Sequence, residues 1–430
     1  MNKVLFLPTR FFPAISGAEF YFQRLAEILI SHHNYAIDIF TSNAIDFKAL
    51  RDPNGRIITQ QEKYYNKVNN LKIRRFPINY NIPRQQILNE LNSIPAFNEL
   101  DLSETHLAKF LTNGPFLKDL LVYLLTIPDS TYDLIHTTFF PYFNCITSLI
   151  VGKALHKPTI CTPFFHFSNP RYLEKNLGEV LKKFDLIIAC TNLEKQFLVK
   201  NYNIPREQIK VIPMGVDYEK FSSLSKTPSF KQKFFHTRER KFQLVLFCGY
   251  KNFEKGALSI LKSIPIIQNK LKNVYFVFIG PPTLAFNQEL SKVSKLKNTR
   301  IINFTPDNLT GYFDKKKLAA FKEADVYLMP SRSDAFGIAF LEAWAAGVPV
   351  IGANIGATPE VIRENVDGLL VKFDNPLDIA QKVIYLLKKK RLRKKLGYSG
   401  QVKVSQNYTW DIVAQKTHHT YQKLIKIKPG

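Results

Sequence analysis

Four cysteines in 430 residues, Cys145, Cys161, Cys190 and Cys248, are too few to staple a small disulfide scaffold. Their gaps of 16, 29 and 58 residues fit no close-paired zinc spacing. Each lies in an apolar stretch, which predicts buried free thiols in a reducing compartment. Glycine is scarce, at 18 residues, and this excludes collagen-like and glycine-linker chains. Long apolar runs are missing too. The nearest, Phe139 to Leu155, is broken by Pro141, Asn144 and Lys153, well short of the ~18 residues of a membrane span. The opening MNKVLFLPTRFFP has a short apolar run before Pro8 and lacks a small-residue cleavage site, so a cytoplasmic chain without a secretory leader is expected. Acidic residues are outnumbered, 35 Asp+Glu against 60 Lys+Arg, for a net charge of +25. Such a balance implies anionic company: nucleic acid, acidic lipid or phosphorylated ligands.

What the chain has in quantity is apolar residues, 45% of the total, enough for large cores and too many for a disordered chain. Its length predicts two or three domains. Two passages share one grammar of short strand, glycine- or serine-bearing turn and amphipathic helix. In the first, Val4 to Leu7 is a strand, Pro8 to Ser16 a loop, and a helix opens near Gly17. Tyr21, Leu25, Ile28 and Leu29 then fall on one buried stripe. Ala36 to Thr41, Leu134 to Thr137, Thr159 to Thr162 and Leu186 to Cys190 read as further strands. The second passage follows VIPMGVD, with strands at Gln243 to Cys248, Val274 to Ile279, Asp325 to Met329 and Val348 to Gly352. Helices are expected at Gly256 to Ile267 and from Gly337. Strands alternating with helices predict parallel sheets covered on both faces. The fold class is therefore α/β, with two facing doubly wound Rossmann-like domains and a ligand cleft between them. Residues 42–130 read as an irregular insertion. Residues 218–241, polar and basic, read as a linker leading into the second domain.

The most informative segment is SRSDAFGIAFLEAWAAGVPVIGANIGATPE, Ser331 to Glu360. Gly337 follows a strand and turn and opens a helix, where free backbone N–H groups attract phosphate. On a helical wheel at ~100° per residue, Glu342 lies about 40° from Ile338, inside the apolar stripe. A carboxylate there needs good hydrogen bonds. Vicinal ribose hydroxyls would supply them, as would a backbone or basic partner. Asp334, eight residues earlier, is placed to reach another part of the same ligand, such as a sugar hydroxyl.

This segment resembles the donor-site signature of glycosyltransferase family 4, the retaining GT-B enzymes, with Asp334 at the first acidic position, where the family usually has Glu, and Glu342 at the second. FPAISGAEF is similar to the family's N-terminal glycine loop, retaining Gly17. YDLIHTTFF and PTICTPFFHF resemble its two histidine-bearing strand ends, at His136 and His166. LFCGYKNFEKGALSIL resembles its donor-phosphate segment: Lys255 and Gly256 align, and Tyr250 stands at the arginine position, with Lys251 beside it as a candidate replacement. LTGYFDKKKLAAFKEADVYLMPS resembles the base-contact strand and following helix. The resemblance implies a retaining hexosyltransferase-type enzyme moving a sugar from a UDP-, GDP- or ADP-sugar to a glycan, lipid or small-molecule acceptor, with no metal or other cofactor. It implies catalytic roles for His166, Lys255 and Asp334. Donor contacts would come from Gly17, Gly249, Lys255, Gly311, Tyr312, Asp334, Phe336, Gly337, Ile338, Ala339 and Glu342. It divides the chain into an acceptor domain, 1–215, a nucleotide-sugar domain, 216–405, and a C-terminal helix, 406–430, packing back on the first.

Two other classes compete. A nucleotide-sugar epimerase on the same plan would need no acceptor. A polyanion-binding protein would suit the charge, yet no helix-turn-helix, zinc-finger or RNA-recognition sequence is present and nucleic acid is disfavoured. The densest basic run, Lys388 to Lys395, follows the apolar residues Ile379, Val383, Leu386 and Leu387 and is a candidate contact for an anionic membrane surface.

Overall fold

The computed structural model describes residues 1–14, 16–223 and 228–427. Ile15 of the predicted glycine loop and residues 224–227 of the predicted linker lie outside the described residues. The chain forms two compact units, Met1–Met214 with Trp410–Gly430, and Gly215–Thr409.

The first unit holds an eight-stranded sheet: β1 Asn2–Pro8, β2 Tyr35–Ser42, β3 Lys67–Val68, β4 Leu71–Phe76, β5 Leu134–Thr138, β6 Thr159–Thr162, β7 Leu186–Ala189 and β8 Ile209–Val211. The order is β3-β4-β2-β1-β5-β6-β7-β8. Every pairing is parallel except the short β3 against β4. Helix Gly17–His33 follows β1 and buries Tyr21, Leu25, Ile28 and Leu29, the stripe expected from their spacing. Helix Trp410–Ile427 packs on it, with the Phe20 and Trp410 rings 6.1 Å apart. His136, at the centre of β5, is a core histidine. Its Nδ1 meets the Tyr421 hydroxyl and its Nε2 the Thr162 hydroxyl at 2.8 Å. Burial lowers its pKa to about 3 and keeps the ring neutral.

Residues 42–130 are more regular than the sequence suggested. Strand β4 extends the sheet beside β2, and helices Arg84–Asn92, Glu104–Asn113 and Lys118–Thr126 bury Leu91, Phe110 and Leu124 in the same core. Each helix is under three turns, too short for periodicity to stand out.

The second unit holds six parallel strands: β9 Gln243–Cys248, β10 Val274–Ile279, β11 Ile301–Phe304, β12 Val326–Met329, β13 Val350–Ala353 and β14 Gly368–Val371. Their order, β11-β10-β9-β12-β13-β14, reverses between β9 and β12. The segment read as a linker is instead part of this unit where it is described. Helix Phe230–Phe234 packs on helix Lys315–Glu323, and Phe235 stacks on Tyr275 with ring centroids 3.7 Å apart. Three phenylalanines at 230, 234 and 235 among lysines anchor it; the charge masked them. Helix Pro376–Lys388 buries Ile379, Val383, Leu386 and Leu387 against helix Ala257–Lys270. Those residues therefore form no lipid-facing stripe. Arg393 leaves the basic run as well: it is buried and donates to the Leu386 carbonyl and to Asp325 at 2.9 and 3.0 Å. All four cysteines are free; three are buried and Cys248 is half-buried.

Candidate active site

Two loops leave the carboxyl ends of β9 and β12, at the reversal of strand order. Ligands of doubly wound sheets bind at such a point. The loops are clamped together. Arg332 donates from Nε and Nη2 to both carboxylate oxygens of Glu254, at 2.7 and 2.9 Å. Its guanidinium lies 5.3 and 5.2 Å from the Phe253 and Phe373 ring centres. Beside this clamp, the Lys255 ammonium donates to the Ser333 carbonyl at 3.0 Å and to Asp334 Oδ1. Lys255 and Asp334, 79 residues apart in sequence, thus form one ion pair. The second carboxylate oxygen, Asp334 Oδ2, is buried and has no hydrogen-bond partner among the described residues. An orphaned oxygen of this kind favours an incoming hydroxyl.

Two glycines let the loops close. Gly256 has φ +73°, and a Cβ there would stand 2.3 Å from the Pro330 carbonyl oxygen. Gly337, at φ +96°, caps helix Ile338–Ala345. The first-turn N–H groups of that helix lack intrahelical acceptors and carry the positive end of its dipole. They belong to the cap Gly337 and to Ile338 and Ala339, and Phe336 precedes them in the loop. The Phe336 side chain is buried, its ring 5.5 Å from that of Tyr408. Ile338 and Ala339 are half-buried.

Glu342 is 2% exposed, as its place in the apolar stripe requires. Its partner in the structure is a basic residue: Lys317 Nζ donates to Glu342 Oε1 at 2.8 Å. The same ammonium lies 3.8 Å from the Tyr312 ring centre. The Tyr312 hydroxyl is hydrogen-bonded to Glu342, and burial together with that carboxylate pushes the phenol well up. Tyr312 therefore joins the site through its side chain. Gly311, at φ +145°, leaves open space where a Cβ would be.

Other expected residues behave differently. The Gly249 amide donates to the Ile279 carbonyl at 2.9 Å and so serves the sheet. Lys251 does not replace the arginine missing at Tyr250. It is fully buried and turned toward β11, donating to Asn303 Oδ1 at 2.6 Å and the Phe304 carbonyl at 2.9 Å. Burial without a carboxylate partner lowers its pKa to about 8. Gly17 and His166 belong to the first unit. Gly17 is exposed at its helix start, near the buried ion pair of Arg10 and Glu19 at 2.8 Å. His166 is half-buried, its ring 5.2 Å from that of Tyr172. Sequence reasoning missed Lys317 and the Glu254–Arg332 clamp. Among the described residues no group of three His, Cys, Asp or Glu side chains is placed to hold a metal ion, and no helix is long and apolar enough to cross a membrane.

Residues 229–403 match the family described as glycosyl transferases group 1, and residues 102–220 match glycosyltransferase family 4. The chain belongs to the group 1 glycosyltransferases. An uncharacterized glycosyltransferase of Methanocaldococcus jannaschii is 22% identical over 428 residues, covering 98% of this chain and 99% of its own. D-inositol 3-phosphate glycosyltransferase of Xylanimonas cellulosilytica is 27% identical over 259 residues, covering 59% of this chain and 60% of its own. Among solved structures, Anabaena HepE in complex with UDP and glucose superposes with TM-score 0.71 at 15% identity, covering 99% of this chain and all of its own. Sucrose-phosphate synthase from Thermosynechococcus elongatus superposes at 0.68 and 17% identity, covering 99% of this chain and 100% of its own. The glycosyltransferase therefore has the GT-B fold, built from two Rossmann-like units.

Proposed function

We propose that this glycosyltransferase moves a hexose from a nucleotide-diphospho-sugar to an acceptor hydroxyl with retention of anomeric configuration. The observation that carries the reading is the Lys255–Asp334 pair at the sheet reversal, with one carboxylate oxygen buried and unpartnered. Transfer requires that charge growing on the departing diphosphate be met by fixed donors. Lys255 supplies a positive charge and the amides of Phe336 to Ala339 supply oriented dipoles; the reading invokes no metal or other cofactor. Asp334 Oδ2 is assigned to a hydroxyl of the transferred sugar. Glu342, held by Lys317 and Tyr312, is assigned to the ribose hydroxyls, and Gly311 and Tyr312 to the base. Gly17 and His166 carry no step of this reading. Support for a nucleotide donor comes from HepE, solved with UDP and with UDP-glucose. Retention is what the resemblance to family 4 implies. A thermal-shift panel of UDP-, GDP- and ADP-sugars tests the reading, because a ligand that binds only the folded state raises Tm. One base series is expected to raise Tm, with the free nucleoside diphosphate of that series doing the same. No shift with any of the three would count against a nucleotide donor.

A further inference from the structure

Strands β9, β10 and β12 begin at the end of the second sheet opposite the Lys255–Asp334 loops. Segments far apart in sequence meet there. Gln243 Nε2 donates to the Leu387 carbonyl at 2.8 Å across 144 residues. Its backbone amide donates to the Asn273 carbonyl at 2.9 Å. Asp325, just before β12, accepts from Arg393 at 3.0 Å and from Lys231 at 3.4 Å. These bonds gather three sets of exposed cations on one edge. The first is Lys388, Lys389, Lys390, Arg391, Lys394 and Lys395. The second is Lys233, Arg238, Arg240 and Lys241, from the segment before β9. Lys270 and Lys272, just before β10, form the third.

The acids of this edge are already engaged. Asp325 is bonded as above, Glu239 pairs with Arg300 at 2.6 Å, and Glu323 accepts the Lys231 amide at 2.7 Å. Among the described residues, none of the exposed cations in the three sets pairs with a carboxylate. Like charges held together without counter-charges raise the local potential and call for an external polyanion.

We propose that this edge of the second unit docks on an anionic lipid bilayer. A bilayer offers a continuous plane of negative headgroups, which suits a broad patch assembled from several elements. Aromatic rings accompany the cations: Lys389 lies 4.4 Å over Tyr385, which is 41% exposed, and Lys233 lies 5.5 Å over the half-buried Phe234. Amphipathic rings of this kind suit the headgroup layer. Groove readout of nucleic acid needs a projecting helix or ribbon, whereas helix Lys390–Asn407, which carries most of the larger run, lies packed against helices Ile338–Ala345 and Pro376–Lys388. The proposal is independent of the donor and the reaction.

Co-sedimentation of the full chain with phosphatidylcholine vesicles, with and without one third phosphatidylglycerol, tests it. Binding is expected only with the anionic lipid, and it should fall as salt shortens the Debye length below ~10 Å. Replacing the six residues of the first set with Gln, leaving the buried Arg393 in place, should weaken vesicle binding at least ~10-fold. The separate variant Lys233→Gln, Arg238→Gln, Arg240→Gln, Lys241→Gln should weaken it as well, and neither should alter donor binding. Equal recovery in the supernatant with both vesicles would overturn the proposal, as would undiminished binding by both folded variants. Displacement of vesicles by a DNA duplex at the same salt and charge concentration would reassign the edge to nucleic acid and also overturn it.

Discussion

Lys255→Met is expected to lower kcat/KM for the nucleotide-sugar by about 10²–10³-fold, the usual loss when one fixed donor is removed from a site of developing negative charge. The effect should fall mainly on kcat, because negative charge on the diphosphate grows as the bond to the sugar breaks. A smaller folding cost accompanies it. The ammonium is a partner of Asp334 and of the Ser333 carbonyl, and leaving a buried acceptor without its donor costs about 1–3 kcal/mol. Steady-state turnover of the donor, alongside urea denaturation of parent and variant, separates the two effects. An unchanged kcat and kcat/KM would remove Lys255 from the mechanism.

Glu342→Ala should have the larger effect on stability. Lys317 and Glu342 are 8% and 2% exposed as side chains, and the pair spans two helices of the second unit. Removing one partner of a buried pair leaves the other charge uncompensated, at a cost of about 3–5 kcal/mol. Donor affinity should also fall, by ~2–4 kcal/mol, through the loss of the ribose acceptor. A double-mutant cycle with Lys317→Met distinguishes the causes. The double variant should recover part of the stability lost by Glu342→Ala, since no buried ammonium remains. It should not recover donor affinity. A folded double variant that binds donor as tightly as the parent would end the ribose assignment and leave Glu342 a structural residue.

The contrast between Lys317 and Lys255 shows what a single chain discloses. Strands buried on both faces, such as VYFVFI in β10, read as continuous apolar runs, and β6, β9 and β10 have the bounds expected. Strand β11 is only four residues long and half-buried over most of its length, and β14 has only the short run Leu369, Leu370 and Val371 to mark it. Asp334 and Glu342 were legible because they sit on one strand–turn–helix passage, where spacing fixes direction. Lys317 was not, because it lies 25 residues from its partner in a run of three lysines that reads as a solvated face. The same reasoning failed at Lys251, where a strand-end lysine that looked available for phosphate is buried over the Phe286 ring, 5.4 Å from its centre. It failed again at Arg393, the one buried member of a basic run. Charge alone does not say which cations face water; contacts made by distant segments decide it.

Backbone hydrogen–deuterium exchange with and without saturating UDP, repeated with GDP and ADP, tests the central claim most directly. The donor is placed at the reversal between β9 and β12, so one nucleotide should slow exchange in residues 249–257 and 331–342 and in the helix beginning at Lys315. Firm binding of a nucleotide with exchange unchanged in all of these segments would contradict the account.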